Sequence, residues 1–180
     1  RAWQKTYNFP SIICNCSNNY GPNQHPEKLI PNVILRSVKG LPIEIYGEGK
    51  NKRDWLFVQD HVNALPKVMI NGVSGNLYTI GTGKDYTNIQ VINKIVNILK
   101  KNKVFLKKFG KFKSNLIYVK DRPGHDFRYS IDSSKIKNLL KWQPMINFDK
   151  GLDVTINWYL KNDQWILEKL KDKYKIKRIG

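Results

Sequence analysis

Short apolar runs of strand length alternate with segments of helical period along this chain, and no glycine-rich turn joins a strand to a helix. That alternation, without repeats or low-complexity tracts, defines an α/β class. At 180 residues, with 41% apolar and 12% aromatic side chains, the chain can bury a real core. Disordered and collagen-like classes are excluded. No apolar run approaches the roughly 18 residues that a membrane span needs.

Residues 1–8 read as a helix end stopped by Asn8 and Pro10, and 11–16 as a short buried strand. Residues 17–22 are dense in turn formers and predict a loop. A helix is expected over 27–39, with Pro31 tolerated in its first turn, followed by strands at 43–46 and 55–58. Asp60 is the expected cap of a helix to Ile70, kinked or broken at Pro66. A strand at 77–80 precedes a helix capped by Thr87 or Asn88, with Val91, Ile92, Ile95, Val96 and Leu99 on one face. Residues 100–115 read as a connector and 116–119 as a strand. Ser133 or Ser134 and then Asp149 are expected to cap two further helices, and 164–177 to form an amphipathic one. Together these pieces make the C-terminal part of a Rossmann-type NAD(P)-binding fold plus a small mixed α/β lobe. A complete Rossmann half is absent.

The net charge of +18 raises nucleic acid as a partner. Lys outnumbers Arg 26 to 6, however, and Ile and Asn are also abundant (20 and 19), as an AT-rich genome would produce. The excess is concentrated in residues 100–180, net +13, on helix faces that are solvated anyway. No nucleic-acid partner is expected. Cys14 and Cys16 sit badly for a mutual disulfide and no metal set completes them, so both are expected reduced and packed in a cytosolic protein.

In a chain that prefers Lys, Arg53 and Arg122 stand in tight polar loops, each beside an Asp. Guanidinium forks bind phosphate in a bidentate way that Lys cannot reproduce. The alternative is that each Arg pairs with its neighbouring Asp and braces a turn. Asn18 and Asn19 are turn formers or ligand contacts, Asn88 a helix cap, and His125 a structural hydrogen-bonder. Tyr46 is either core or a stacking platform.

Several blocks occur in a telling order. Asn15-Cys16-Ser17-Asn18-Asn19-Tyr20-Gly21-Pro22 is followed by Pro26-Glu27-Lys28-Leu29-Ile30-Pro31 and Ile45-Tyr46-Gly47-Glu48-Gly49. Arg53-Asp54-Trp55-Leu56, Asp60-His61, Asp121-Arg122-Pro123-Gly124-His125-Asp126-Phe127-Arg128-Tyr129 and Trp158-Tyr159-Leu160 come next. From its start to about Trp165 the chain resembles the dTDP-glucose 4,6-dehydratase family, within the extended short-chain dehydrogenase/reductases.

The resemblance implies a cytoplasmic, NAD-dependent lyase of deoxysugar biosynthesis, with an N-terminal NAD lobe and a C-terminal nucleotide-sugar lobe. Residues 1–165 would be substrate-binding portion with the last Rossmann elements interleaved, and 166–180 a Lys-rich helix or tail. Carried over by position, Asn18 would contact dTDP-glucose and Asn19 the nicotinamide end of NAD. Lys28 and Leu29 would hold the nucleotide, Tyr46 would lie along thymine, and Glu44 would approach it through its backbone. Arg53 and Arg122 would clamp the diphosphate, helped by Asn88 and the Pro123-Gly124-His125 stretch. Glu44 stands where the family has Pro, Gln59 where it has Glu, and the 81–86 loop also departs from its pattern.

The family's reaction oxidises the sugar at C4, eliminates water across C5 and C6, and returns the hydride to C6. Its Tyr-x-x-x-Lys base and Asp/Glu pair are expected upstream of Arg1, so no catalytic residue is assigned within this chain and the chain alone is expected to be inactive. The resemblance also implies a homodimer built largely through helices of the upstream lobe, a contact this chain would not supply by itself. Two other readings are another nucleotide-sugar dehydratase, epimerase or decarboxylase of the superfamily, and a non-catalytic basic binding module.

Overall fold

The computed structural model describes residues 2–162, 164–166 and 168. Among these residues eight strands and seven helices are interspersed: α1 Ala2–Tyr7, β1 Ile13–Cys16, β2 Asn18–Tyr20, α2 Leu29–Val38, β3 Ile43–Tyr46, β4 Lys52–Phe57, α3 Val58–Asn71 and β5 Leu77–Ile80. They continue as β6 Asp85–Thr87, α4 Asn88–Lys101, α5 Lys103–Phe109, β7 Leu116–Val119, β8 Arg128–Tyr129, α6 Ser134–Leu140 and α7 Phe148–Lys161. The expected 164–177 helix and 166–180 tail fall mostly outside the described residues.

Three small sheets carry the strands. β1 pairs parallel with β5, β3 pairs parallel with β7, and β4 gathers β2 and β8 in parallel and β6 antiparallel. The main core lies where α2, α4, α5 and α7 meet β3 and β4, centred on Ile34, Ile43, Ile95 and Leu152. A second cluster joins Val68 of α3, Tyr78 and Ile80 of β5, Ile136 of α6 and Trp142.

Several local expectations need correction. Residues 18–20 are strand β2, not loop, because their backbone groups pair with Trp55, Leu56 and Phe57 of β4. Tertiary pairing overrides turn propensity there. α3 runs as one element through Pro66, which lies on an exposed face. Water can satisfy the carbonyl that a proline leaves without its donor. Asp60 lies inside the first turn of α3, and its buried carboxylate accepts the N–H groups of Met145 and Ile146 at 3.1 and 2.9 Å. Asn147, not Asp149, caps α7, accepting from the Lys150 N–H at 2.9 Å. Ser133 holds the cap position of α6, yet its hydroxyl donates to the Gly81 carbonyl while Asp132 accepts the Ser134 N–H. Residues 103–109 of the expected connector form α5, capped by Asn102. Both cysteines are free thiols, but Cys14 is exposed rather than packed.

Thr87 is the cap of α4, in a reciprocal box with Gln90. Replacing Thr87 with Ala removes one of these two bonds and should destabilise the fold by about 1 kcal/mol, read as a lower denaturant midpoint at unchanged slope.

β1 and its surroundings are open. Ile13, Trp3, Tyr7, Phe9, Val62, Leu65, Met69 and Ile70 are exposed, and a groove of about 610 Å³ runs between β1 and α3. No helix among the described residues is long and apolar enough to cross a membrane.

A cationic cleft at the junction of three sheets

β4 sets the site through its period of two. Arg53 and Trp55 share one face, and Asn18 of β2 lies in register with Trp55. Asp54 points the other way, fully buried, and accepts from the Thr82 N–H, the Thr82 hydroxyl and the Gly83 N–H at 2.5–3.1 Å. The Arg53–Asp54 pair of the bracing alternative therefore does not form. The Arg53 guanidinium donates instead to the carbonyls of Lys52 (2.7 Å) and Asp126 (2.8 Å). Burial lowers the Arg53 pKa, and the like charge of Arg122 adds to this against the pull of Asp126. An arginine stays charged nonetheless.

The 121–127 loop is brought in by β7 and by β4. Tyr46 pairs with Val119, the Gly47 N–H donates to the Val119 carbonyl, and Lys52 N–H donates to Phe127 O at 2.7 Å. Gly47 has φ +54°, and a Cβ there would press on the Asp121 side chain at 3.0–3.3 Å, so the turn requires glycine. The Asp121 carboxylate accepts the Arg122 backbone N–H at 2.9 Å and meets His125 Nδ1 at 2.7 Å. That contact with His125, more than any other, holds the Asp121 pKa below its ordinary value. The bracing is complete above the ordinary carboxylate range and is lost only as pH falls through the lowered value. The Arg122 guanidinium has no carboxylate within ion-pair distance among the described residues.

These elements enclose a cleft of about 350 Å³ lined by Asn18, Asn19, Lys28, Leu29, Arg53, Asn88, Arg122 and His125, all of them sequence-predicted, and by Gln24, Glu27 and Trp55. Asn88 is buried at the first position of α4. Because Thr87 does the capping, Asn88 is not the cap and its side chain is left for the cleft wall. Lys28 holds the cap position of the ten-residue α2 without a side-chain cap, and Lys28 and Leu29 bring this helix N-terminus to the cleft wall. Glu27, the one acid on the wall, is 3.0 Å from Lys28, whose hydrogen bond lowers the Glu27 pKa.

Four expected residues do not line the cleft. Glu44 lies on β3 and accepts from Arg36 at 2.9 Å, and Tyr46 ends the same strand. Pro123 and Gly124 are exposed in the 121–127 loop. Gln24, Glu27 and Trp55 went unassigned in the sequence. Glu27 lies in the Pro26–Pro31 stretch and Trp55 in Arg53–Leu56, while Gln24 lies in the loop between β2 and α2, where position rather than residue type is the signal.

Two arginines, a lysine and a helix N-terminus gather around one polar cleft in part of a Rossmann-type fold, donors of the kind that suit an anion. No tyrosine, serine or cysteine among the described residues lines it. Among the described residues no group of three His, Cys, Asp or Glu side chains could hold a metal.

The chain belongs to the GDP-mannose 4,6 dehydratase family, whose sequence model matches residues 1–155. It is 44% identical to the dTDP-glucose 4,6-dehydratase of Xanthomonas campestris over 100% of its length, which is 51% of that protein. It is 48% identical to the dTDP-glucose 4,6-dehydratase of Neisseria gonorrhoeae over 90% of its length and 47% of the relative. The crystal structure of the Bacillus anthracis dTDP-glucose 4,6-dehydratase in complex with NAD superimposes with a TM-score of 0.80 at 42% identity, covering 91% of this chain and 49% of that one. The chain thus spans about half the length of the curated relatives it matches.

Proposed function

We propose that a protein carrying this chain is a dTDP-glucose 4,6-dehydratase, converting dTDP-glucose to dTDP-4-keto-6-deoxyglucose and water with NAD, and that this chain supplies the nucleotide-sugar site. The observation that carries the reading is the convergence of Arg53, Arg122, Lys28 and the α2 N-terminus on one cleft. Diphosphate is the group these donors suit. The 42–48% identity to proteins of that name supports the sugar nucleotide. Free Cys14 and Cys16 suit a cytosolic setting.

NAD fits these residues in one respect. Asn19 Oδ1 lies buried, without a partner among the described residues, in a side chain on the cleft wall, an acceptor suited to a carboxamide N–H. When bound, NAD takes up and returns a hydride. The residues of this chain bind and orient the sugar nucleotide, with the arginine forks gripping the diphosphate and Asn18 and Asn88 offering amides beside it.

Titration calorimetry tests the reading. The 180-residue chain should bind dTDP-glucose, more weakly as salt is raised, and more tightly than UDP-glucose. Mixed with NAD and dTDP-glucose, the chain alone should yield no 4-keto-6-deoxy product, because among the described residues no hydroxyl or phenol suited to act as base lines the cleft. Equal affinity for UDP-glucose would move the reading to another nucleotide-sugar enzyme of the superfamily, and product formation would refute the inactivity.

A further inference from the structure

The cationic wall accounts for an anion, but three buried atoms on the same wall are uncharged and unpaired. Gln24 Oε1, Asn19 Oδ1 and Trp55 Nε1 are shielded from solvent with no hydrogen-bond partner among the described residues, and all three side chains line the cleft. A buried acceptor left unmade costs about 1–3 kcal/mol, so such atoms mark where a ligand completes the protein.

Gln24 is the most firmly held of the three. Its Nε2 donates to the Asn19 carbonyl at 2.7 Å, and its own main-chain carbonyl accepts from the buried Tyr159 hydroxyl. Turning the amide over would set oxygen against the Asn19 carbonyl, so Oε1 is the atom left for a ligand. A diphosphate, ionised at neutral pH, has no proton to donate to it. The acceptor therefore calls for a hydroxyl or an N–H from another part of the ligand. Glu44 and Tyr46, the residues expected near the base, lie off the cleft on β3, whereas Gln24 sits beside Asn18 and Asn19.

We propose that Gln24 reads the sugar: its Oε1 accepts a hydrogen bond from a hydroxyl of the hexose carried by the diphosphate. Gln24 is then a specificity-determining residue that favours a nucleotide-sugar over the bare nucleoside diphosphate. This rests on the nucleotide-sugar reading of the cleft.

The test compares dTDP-glucose with dTDP on the 180-residue chain by calorimetry, with thermal melting as a fold control. In Gln24→Leu, affinity for dTDP-glucose should fall roughly tenfold, the size of one such bond, with dTDP unchanged. A variant that merely loosens the β2–α2 loop would weaken both ligands together and leave their ratio alone. Gln24→Glu keeps an acceptor, loses the bond to Asn19, and places its charge where both ligands feel it, so the ratio should hold. An unchanged ratio in Gln24→Leu, or a ratio that falls in Gln24→Glu as far as in Gln24→Leu, overturns the proposal while the cleft reading stands. Failure of the unsubstituted chain to bind either ligand overturns both.

Discussion

Arg122→Ala should weaken dTDP-glucose binding by about 3 kcal/mol, roughly 100-fold, and leave the melting temperature almost where it was. The Arg122 guanidinium has no structural partner among the described residues, and the hydrogen bonds holding its loop run through the Asp121 carboxylate, the Arg122 backbone N–H and His125. Removing an exposed side chain of that kind changes stability by no more than about 0.5 kcal/mol. Arg53→Ala should behave differently. That side chain is only 8% exposed and ties β4 to the 121–127 loop through the carbonyls of Lys52 and Asp126. Its loss leaves both carbonyls without their charged donor, so affinity and melting temperature should fall together. Calorimetry and melting on both variants check the contrast. Parent-like binding by Arg122→Ala would sink the clamp, and a melting loss as large as that of Arg53→Ala would sink the division of roles.

Gly151→Ala should destabilise the fold by roughly 2–4 kcal/mol, despite giving α7 a better helix former. A Cβ at this position would stand 2.1 Å from the Tyr20 hydroxyl oxygen, 2.9 Å from the ring carbon bearing it and 3.0 Å from the Phe57 ring. Tyr20 cannot move aside. It is 1% exposed, wedged edge-on against Trp55, Phe57 and Phe148, and its hydroxyl donates to the Phe148 carbonyl at 3.1 Å. The propensity gain of about 1 kcal/mol is smaller than the strain of overpacking such a cluster. For a domain of this size the melting temperature should drop by roughly 5–15 °C. An unchanged or raised melting temperature would show that α7 shifts freely on β4, against the packing described. Because Tyr20 follows Asn18 and Asn19 on β2, the same variant should also loosen the cleft.

The helices with the strongest periodicity were legible residue by residue. Val91, Ile92, Ile95, Val96 and Leu99 of α4 are all buried, as their spacing required, and the β3, β5 and β7 spans match. Amphipathic spacing is a local property, so sequence carries it. Short polar segments behaved otherwise. Asn18-Asn19-Tyr20 has the composition of a turn and is a strand only because β4 runs beside it. Asp54 and Asp121 stand next to arginines in sequence, yet one carboxylate turns to Thr82 and Gly83 and the other to His125. Partners 28 residues away, or on the opposite face of a strand, leave no local trace.

For the site, the ordered blocks and the rarity of Arg in a Lys-rich chain singled out Arg53, Arg122, Asn18, Asn19, Lys28 and His125 before any geometry. Those blocks also pointed to the family. Tertiary structure alone decided that these residues face one cleft, that Asn88 lines it rather than capping α4, and that Glu44 and Tyr46 stand off its wall. It alone exposed Gln24, because an unpaired acceptor is defined by the atoms that fail to reach it, and those come from every part of the chain. Sequence determined which chemical groups are present and which segments fold locally. Their convergence depends on pairing between β2, β3, β4 and β7, which joins residues up to about 75 positions apart and so leaves no period to read.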